Sequence, residues 1–128
     1  MKNGSIYEVM TDAEKQVAEY LMKLGIFWSY EAPVFVYDEK DRPRVWTPDF
    51  YLPQWEVYIE VCGDEKFNYE YREKIYKNNG FFIVFIHLYK EKEKWENFLL
   101  KRIIAVEEYR HNKAKNMLEK LLFQKQMN

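Results

Sequence analysis

A mixed α/β fold, α+β in character with one small sheet, is expected from three features of the sequence. Apolar residues recur at helical spacing towards both ends of the chain. Between them the apolar pattern changes to period two or to short unbroken runs. Clusters of Gly, Pro, Asn and Asp separate these patterns at close intervals. The length of 128 residues, with 48% hydrophobic and 32% charged side chains, is that of one globular domain, expected to span 1–128. Aromatic residues make up 19% of the chain, with four Gly and four Pro, so disorder is not expected.

The elements follow in order. Thr11 or Asp12 caps a first helix whose apolar face is Ala13, Val17, Tyr20, Leu21 and Leu24. Gly25 ends it. Trp28 to Tyr37 is aromatic and β-branched and reads as a strand; Asp38 to Asp41 with Arg42-Pro43 reads as a hairpin turn, and Arg44 to Leu52 as the returning strand. Pro48 marks a bulge or an edge there. After Pro53-Gln54, Trp55 to Cys62 is the clearest strand, with Val57, Ile59 and Val61 on one face and Tyr58, Glu60 and Cys62 on the other. Asp64 is expected to cap a second helix running to about Asn78, stopped by Asn79-Gly80. Phe81 to Leu88 is a short apolar run, the mark of a strand buried on both faces. Residues 91–127 are helical in pattern. One stripe (Trp95, Phe98, Leu99, Ile103, Val106) is followed, beyond the polar patch 110–113, by a second (Met117, Leu118, Leu121, Leu122). The expected order is an αβββαβ core over about 11–88 with a C-terminal helical extension.

Several function classes are set aside. No run of 18 or more apolar residues suggests a membrane span, and no apolar segment after Met1–Ser5 suggests a secretory signal. Cys62 is the lone cysteine, which gives neither an internal disulfide nor a cysteine zinc site and fits a reducing, cytoplasmic compartment. The glycines at 4, 25, 63 and 80 are too dispersed for a phosphate loop, so no nucleotide cofactor is expected. His87 lies in an apolar run and reads as a core histidine, leaving Cys62 without a base to make it a nucleophile.

The net charge is −1 but unevenly spread: residues 1–60 carry 6 basic and 11 acidic side chains, residues 61–128 carry 14 and 10. A polyanion would prefer the C-terminal end, through Arg110, Lys113, Lys115 and Lys120. A solvated helix face is the other reading of that cluster. Phe67, Tyr69, Tyr71 and Tyr76 are placed either to pack the sheet or to stack on bases.

Asp49 and Glu60 stand out because their neighbours are apolar. A carboxylate inside a buried strand is costly unless paired, hydrogen-bonded or bound to a cation. The two strands are joined by the Pro53-Gln54 turn and are expected to be neighbours. Two hard oxygen ligands brought together suit Mg²⁺, which assists phosphodiester hydrolysis. The alternative is that Asp49 is a turn acid and Glu60 faces solvent.

Pro48-Asp49, ten intervening residues, Glu60-Val61-Cys62-Gly63, and a preceding helix with Glu14 resemble the PD-(D/E)xK nuclease superfamily, over about residues 11–88. Restriction endonucleases and Holliday-junction resolvases belong to it. The resemblance implies a restriction-endonuclease-like fold and a Mg²⁺-dependent (or Mn²⁺-dependent) DNA endonuclease, with branched or junction DNA as one substrate class. It implies that Asp49, Glu60 and the Val61 carbonyl bind the metal, with Glu14 acting from the helix. Glu19, five residues later, is the weaker helix acid. Trp46 and Trp55 would flank the site.

One position departs from the pattern. Where the superfamily has its lysine, this chain has Cys62, and a thiol supplies no positive charge. Lys66 is the nearest substitute, with Arg72, Lys74 and Arg44 as others. Otherwise the metal manages alone, or the protein is a catalytically inactive nuclease fold that binds nucleic acid or serves assembly. The second apolar stripe of the C-terminal helix needs cover, and a homodimer through that helix is expected.

Overall fold

The computed structural model describes residues 6–63, 67–88 and 94–127. After a 3-10 turn at Ile6–Val9 comes α1, Asp12–Lys23. Thr11 and Glu14 close a reciprocal capping box: the Glu14 N–H donates to Thr11 Oγ1 (3.1 Å), and the Thr11 N–H donates to Glu14 Oε1 (2.9 Å). Val17, Ala18 and Leu21 are buried completely, and Gly25, at φ 72°, ends the helix in the left-handed conformation that a Cβ would oppose.

Six strands follow: β1 (Ser29–Tyr30), β2 (Val34–Tyr37), β3 (Pro43–Trp46), β4 (Phe50–Leu52), β5 (Val57–Cys62) and, after α2 (Tyr69–Asn78), β6 (Ile83–His87). A four-stranded mixed sheet has the order β1-β4-β5-β6. Its first two pairings are antiparallel and the β5–β6 pairing is parallel. β2 and β3 form a separate antiparallel hairpin. The mixed α/β class is therefore as the patterning indicates, but the expected three strands before the second helix are five. Both arms of the long hairpin break at the same level. Glu31 adopts φ 56° two residues before Pro33 on one arm, and Pro48, without an N–H, interrupts the other. The inner halves join the sheet and the outer halves peel away.

Two more boundaries shift. β5 starts at Val57, because Glu56 takes φ 51° and Trp55 closes the preceding turn on the Leu52 carbonyl. α2 begins at Tyr69 with Asn68 as its cap; Asp64, the expected cap, lies outside the described residues. Asn79-Gly80 stops α2 as expected, Gly80 at φ 82°.

The sheet buries both faces. Phe50, Ile59 and Ile86 pack with Val17 and Leu21 of α1 and with Leu99 of α3, which runs Trp95–Met127. On the other face Cys62 and Phe85 meet Ile75 and Tyr76 of α2 and Val34 and Val36 of the hairpin. α3 passes through the polar patch without a break. Its first turns bury Trp95, Leu99, Ile103 and Val106, whereas from Glu107 onward all but the half-buried Arg110 are exposed. Among the described residues no helix is long and apolar enough to cross a membrane.

Candidate active site

The break in the hairpin arms places Asp49 one residue ahead of β4. There Phe50 pairs with Ile59, so Asp49 lies beside the C-terminal half of β5. The Asp49 carbonyl accepts the Glu31 N–H (2.9 Å), and its carboxylate Oδ2 accepts the Val61 N–H at 2.7 Å, past the end of the β4 ladder. From the other side α1 presents Glu14, 9% exposed, whose Oε1 accepts the Tyr30 hydroxyl (2.9 Å) as well as the Thr11 N–H. Glu14 and Asp49 lie close enough for each carboxyl to shift the other's ionisation.

Burial, then the adjacent Glu14, pushes the Asp49 carboxyl up to about 8, against the lowering effect of the Val61 N–H. Burial also pushes Glu14 up, but donors from Thr11, Asp49 and Tyr30 outweigh it and hold Glu14 below the ordinary glutamate range. Of the two carboxyls, Asp49 is the one whose surroundings favour the neutral form. Tyr30 is raised in turn, by burial and by Glu14.

Glu60, also 9% exposed, turns to the opposite face of the sheet. The Arg72 Nε lies 3.1 Å from its Oε2, and Nη2 lies 3.4 Å from Oε1. The Nε–H is not aligned on the oxygen and remains a buried donor without a hydrogen-bond partner. The Tyr76 hydroxyl donates to Oε1 at 3.3 Å. Burial raises the Glu60 carboxyl, while Arg72 and Tyr76 pull it down. Arg72 is fixed from above by Trp46, its guanidinium carbon 4.5 Å from the ring centroid.

Of the three acids expected from the sequence, Glu14 and Asp49 meet beside the C-terminal half of β5, whereas Glu60, on that strand, faces the α2 side. Glu19 is exposed on another face of α1. Cys62 is buried at 1% in the α2-side core, its Sγ 3.7 Å from the Glu60 carbonyl. Lys66 lies outside the described residues. Of the other cations, Arg44 is taken by Asp38 (3.1 Å), Lys74 is exposed on α2, and Arg72 alone contacts one of the three acids. Trp46 flanks this site through Arg72. Trp55 does not; it lies in the turn before β5, at the opposite end of that strand, where Arg110 reaches it. Sequence patterning did not single out the hydrogen bonds of Tyr30 and Tyr76, because an inward tyrosine in an apolar element reads as packing.

The C-terminal cations divide. Arg110 donates from Nη1 to the Trp55 carbonyl and from Nη2 to that of Glu56 (2.8 Å), and its guanidinium covers Phe82 at 4.4 Å, so it pins α3 to the sheet. Lys113 lies 5.9 Å from the Tyr109 ring, and Lys115 and Lys120 are exposed. Tyr76 and Tyr69 pack against Phe85, whereas Tyr71 is exposed and donates to Glu39. An open groove of about 760 Å³, with Lys77, Phe81, Arg102 and Tyr109 in its walls, lies between α2 and α3, away from the three acids.

Among the described residues no three His, Cys, Asp or Glu side chains are gathered closely enough to hold an ion by themselves. The oxygens of Glu14 and Asp49 are hard donors, and two adjacent carboxyls favour a neighbouring positive charge. No family model matches this chain, and neither a curated protein nor a solved structure shows significant similarity to it.

Proposed function

We propose that the chain is a Mg²⁺-dependent DNA endonuclease with a PD-(D/E)xK, restriction-endonuclease-like core. The observation that carries this reading is the adjacency of the Glu14 and Asp49 carboxyls beside the C-terminal half of β5, with Glu60 and Arg72 on the other face of the same strand. The order of α1, an antiparallel sheet and the β5–α2–β6 parallel pairing supports it.

Asp49 and Glu14, with the Val61 carbonyl, are the residues that would hold Mg²⁺ or Mn²⁺, and Glu60 would join them only on leaving Arg72. Bound there, the ion supplies Lewis-acid polarisation of the phosphate and a water of lowered pKa. Asp49 gives up its proton when a cation neutralises the pair. Arg72 offers guanidinium nitrogens to the phosphate and offsets the negative charge that develops in hydrolysis, a role closed to a neutral Cys62. In hydrolysis a water oxygen would bond to phosphorus as the ester P–O bond breaks, Glu14 or Asp49 would take the water's proton, and a solvent water would protonate the leaving oxygen. Duplex and branched DNA are the substrates proposed, and a homodimer through the outer half of α3 is the assembly.

The test is Mg²⁺ or Mn²⁺ titration with cleavage of supercoiled plasmid and of a four-way junction, for wild type, Asp49→Ala and Glu60→Ala. Metal-dependent cutting lost in both variants supports the reading. One observation favours a second reading: the Glu60–Arg72 pair satisfies the acid without a metal, as expected of a retired nuclease fold that only binds nucleic acid. DNA binding without cutting under any of these conditions would establish that alternative.

A further inference from the structure

The β2–β3 hairpin carries polar chemistry that the carboxylate site does not use. Its turn is a three-residue loop, Glu39-Lys40-Asp41, with Asp41 at φ 57° and the Asp38 N–H donating to the Arg42 carbonyl (3.0 Å). Asp38 is 6% exposed although it sits at the mouth of this loop. Its Oδ1 accepts the N–H groups of Lys40 (2.9 Å) and Arg42 (3.0 Å), and its Oδ2 accepts Nε of both Arg42 (3.0 Å) and Arg44 (3.1 Å). One carboxylate therefore grips two guanidinium groups, each by its inner nitrogen. Among the described residues the four terminal nitrogens have no partner, and the two side chains are 51% and 45% exposed. A carboxylate meant only to be neutralised needs one arginine, bound by both prongs. Here the second prong of each is left outward, in a turn (residues 38–44) whose three acids and three cations balance.

The hairpin is fixed to the catalytic half of the fold. Asn79 at the end of α2 bonds both backbone groups of Tyr37, accepting its N–H (2.9 Å) and donating to its carbonyl (3.0 Å). Val34 and Val36 pack on Ile75 and Tyr76. Arg44 stands opposite Val36 and Trp46 opposite Val34, so the two share a strand face two residues apart, about 7 Å. Trp46 then carries Arg72, and Arg72 meets Glu60. A line of cationic and aromatic groups, Arg42, Arg44, Trp46 and Arg72, leads to the acids.

We propose that Arg42 and Arg44, preset by Asp38, bind consecutive phosphates of a nucleic-acid strand and guide it along the hairpin to Arg72 and Glu60. This rests on the nuclease reading above and names the surface by which the strand is held. Two readouts separate them: binding in EDTA, where no cleavage occurs, and cleavage in Mg²⁺.

The binding probes are a fluorescent duplex and a single strand of about 30 nucleotides, titrated across salt by anisotropy. Arg42→Gln/Arg44→Gln keeps an amide donor for Asp38 and removes both charges; Arg42→Ala/Arg44→Ala is the harsher partner. Both are melted first and compared where they are folded. The proposal expects each double variant to bind at least about tenfold more weakly, with the log K against log salt slope reduced by about 1.4 to 1.8. Unchanged affinity and slope would overturn it, whether or not cleavage persists. So would a wild type that binds neither probe. Hairpin-dependent binding with no cleavage in Mg²⁺ or Mn²⁺ would support the hairpin assignment and remove the endonuclease.

Discussion

Arg72 and Glu60 form an ion pair from adjacent elements, α2 and β5, with Nε 3.1 Å from Oε2. The arginine is the half-buried member, 22% exposed, and the glutamate side chain is 12% exposed. Removing the guanidinium leaves a carboxylate with little water to solvate it. Arg72→Met is therefore expected to destabilise the fold by about 1–3 kcal/mol, below the full cost for a wholly buried pair because water reaches Arg72. Glu60→Gln/Arg72→Met should recover part of the loss, since neither charge is then stranded. Urea denaturation of the cycle measures this. For cleavage, Arg72→Lys should retain more activity than Arg72→Ala, which is expected to lose on the order of 100-fold in kcat.

The Glu14–Asp49 pair predicts a pH dependence of stability without metal. Asp49 is raised to about 8 in the folded chain, so between the ordinary aspartate range and about pH 8 the fold holds a proton that the unfolded chain releases. Stability from this group is then fully present below the unfolded pKa and falls as pH rises through the folded one. The lowered Glu14 acts in the opposite sense, its contribution lost as pH falls through its folded pKa. Asp49→Asn should flatten the decline between about pH 5 and pH 8 and leave the protein more stable than wild type at the alkaline end. Thermal melts in EDTA across that range check it; a wild-type profile flat through pH 8 would contradict the raised Asp49 carboxyl.

The same proton predicts how a metal would bind. Ligation must displace it, so Mg²⁺ or Mn²⁺ affinity should rise with pH up to about 8 and then level off. Calorimetry in buffers of different ionisation enthalpy should show close to one proton released per ion at pH 7. Binding with no proton release would mean that the ion sits elsewhere.

Thr11 offers a local test of how Glu14 is held. Its hydroxyl accepts the Glu14 N–H and its own N–H donates to the Glu14 carboxylate. Thr11→Ala should cost about 1 kcal/mol, and Thr11→Ser much less. If Glu14 works in the site, the alanine variant should also lower cleavage beyond what its melting temperature explains, because one orienting acceptor is gone.

Legibility in the sequence followed the range of the forces involved. The α1 cap, the Gly25 and Gly80 stops and the alternation of β5 are local, and each lies where patterning puts it. Asp49 and Glu60 stood out because a charge among apolar neighbours is costly wherever the chain goes. What patterning missed is non-local. Glu31 at φ 56° and Pro48 act together on two arms far apart in sequence, and only their pairing shows that the hairpin must leave the sheet. Arg110 shows the same limit. As one of five cations in 110–128 it read as part of a solvent-facing basic cluster, yet it spans 55 residues to cap the Trp55 carbonyl. Nothing in its neighbours signals that partner. The choice of Arg72 over Arg44 and Lys74 was likewise open, since it depends on Trp46 arriving from the hairpin.

The outer half of α3 carries the last prediction. Met117, Leu118, Leu121 and Leu122 are 58%, 61%, 55% and 61% exposed, adjacent at helical spacing on a segment that touches nothing else described. An apolar stripe of this kind is covered in a stable assembly, and the proposed cover is the same stripe of a second copy. Residues 110–128 carry five cations against Glu119, so two such helices repel each other at long range. Screening weakens that repulsion and leaves the apolar contact intact, so the dimer should tighten as salt rises, the reverse of DNA binding. Sedimentation of the wild type at about 50 and 300 mM salt should show more dimer at the higher value. Leu118→Glu/Leu121→Glu should be monomeric at both, melting as the wild type does at concentrations where it too is monomeric, because these side chains are outside the core. A wild type that is monomeric at micromolar concentration in both salts would leave the stripe to another partner.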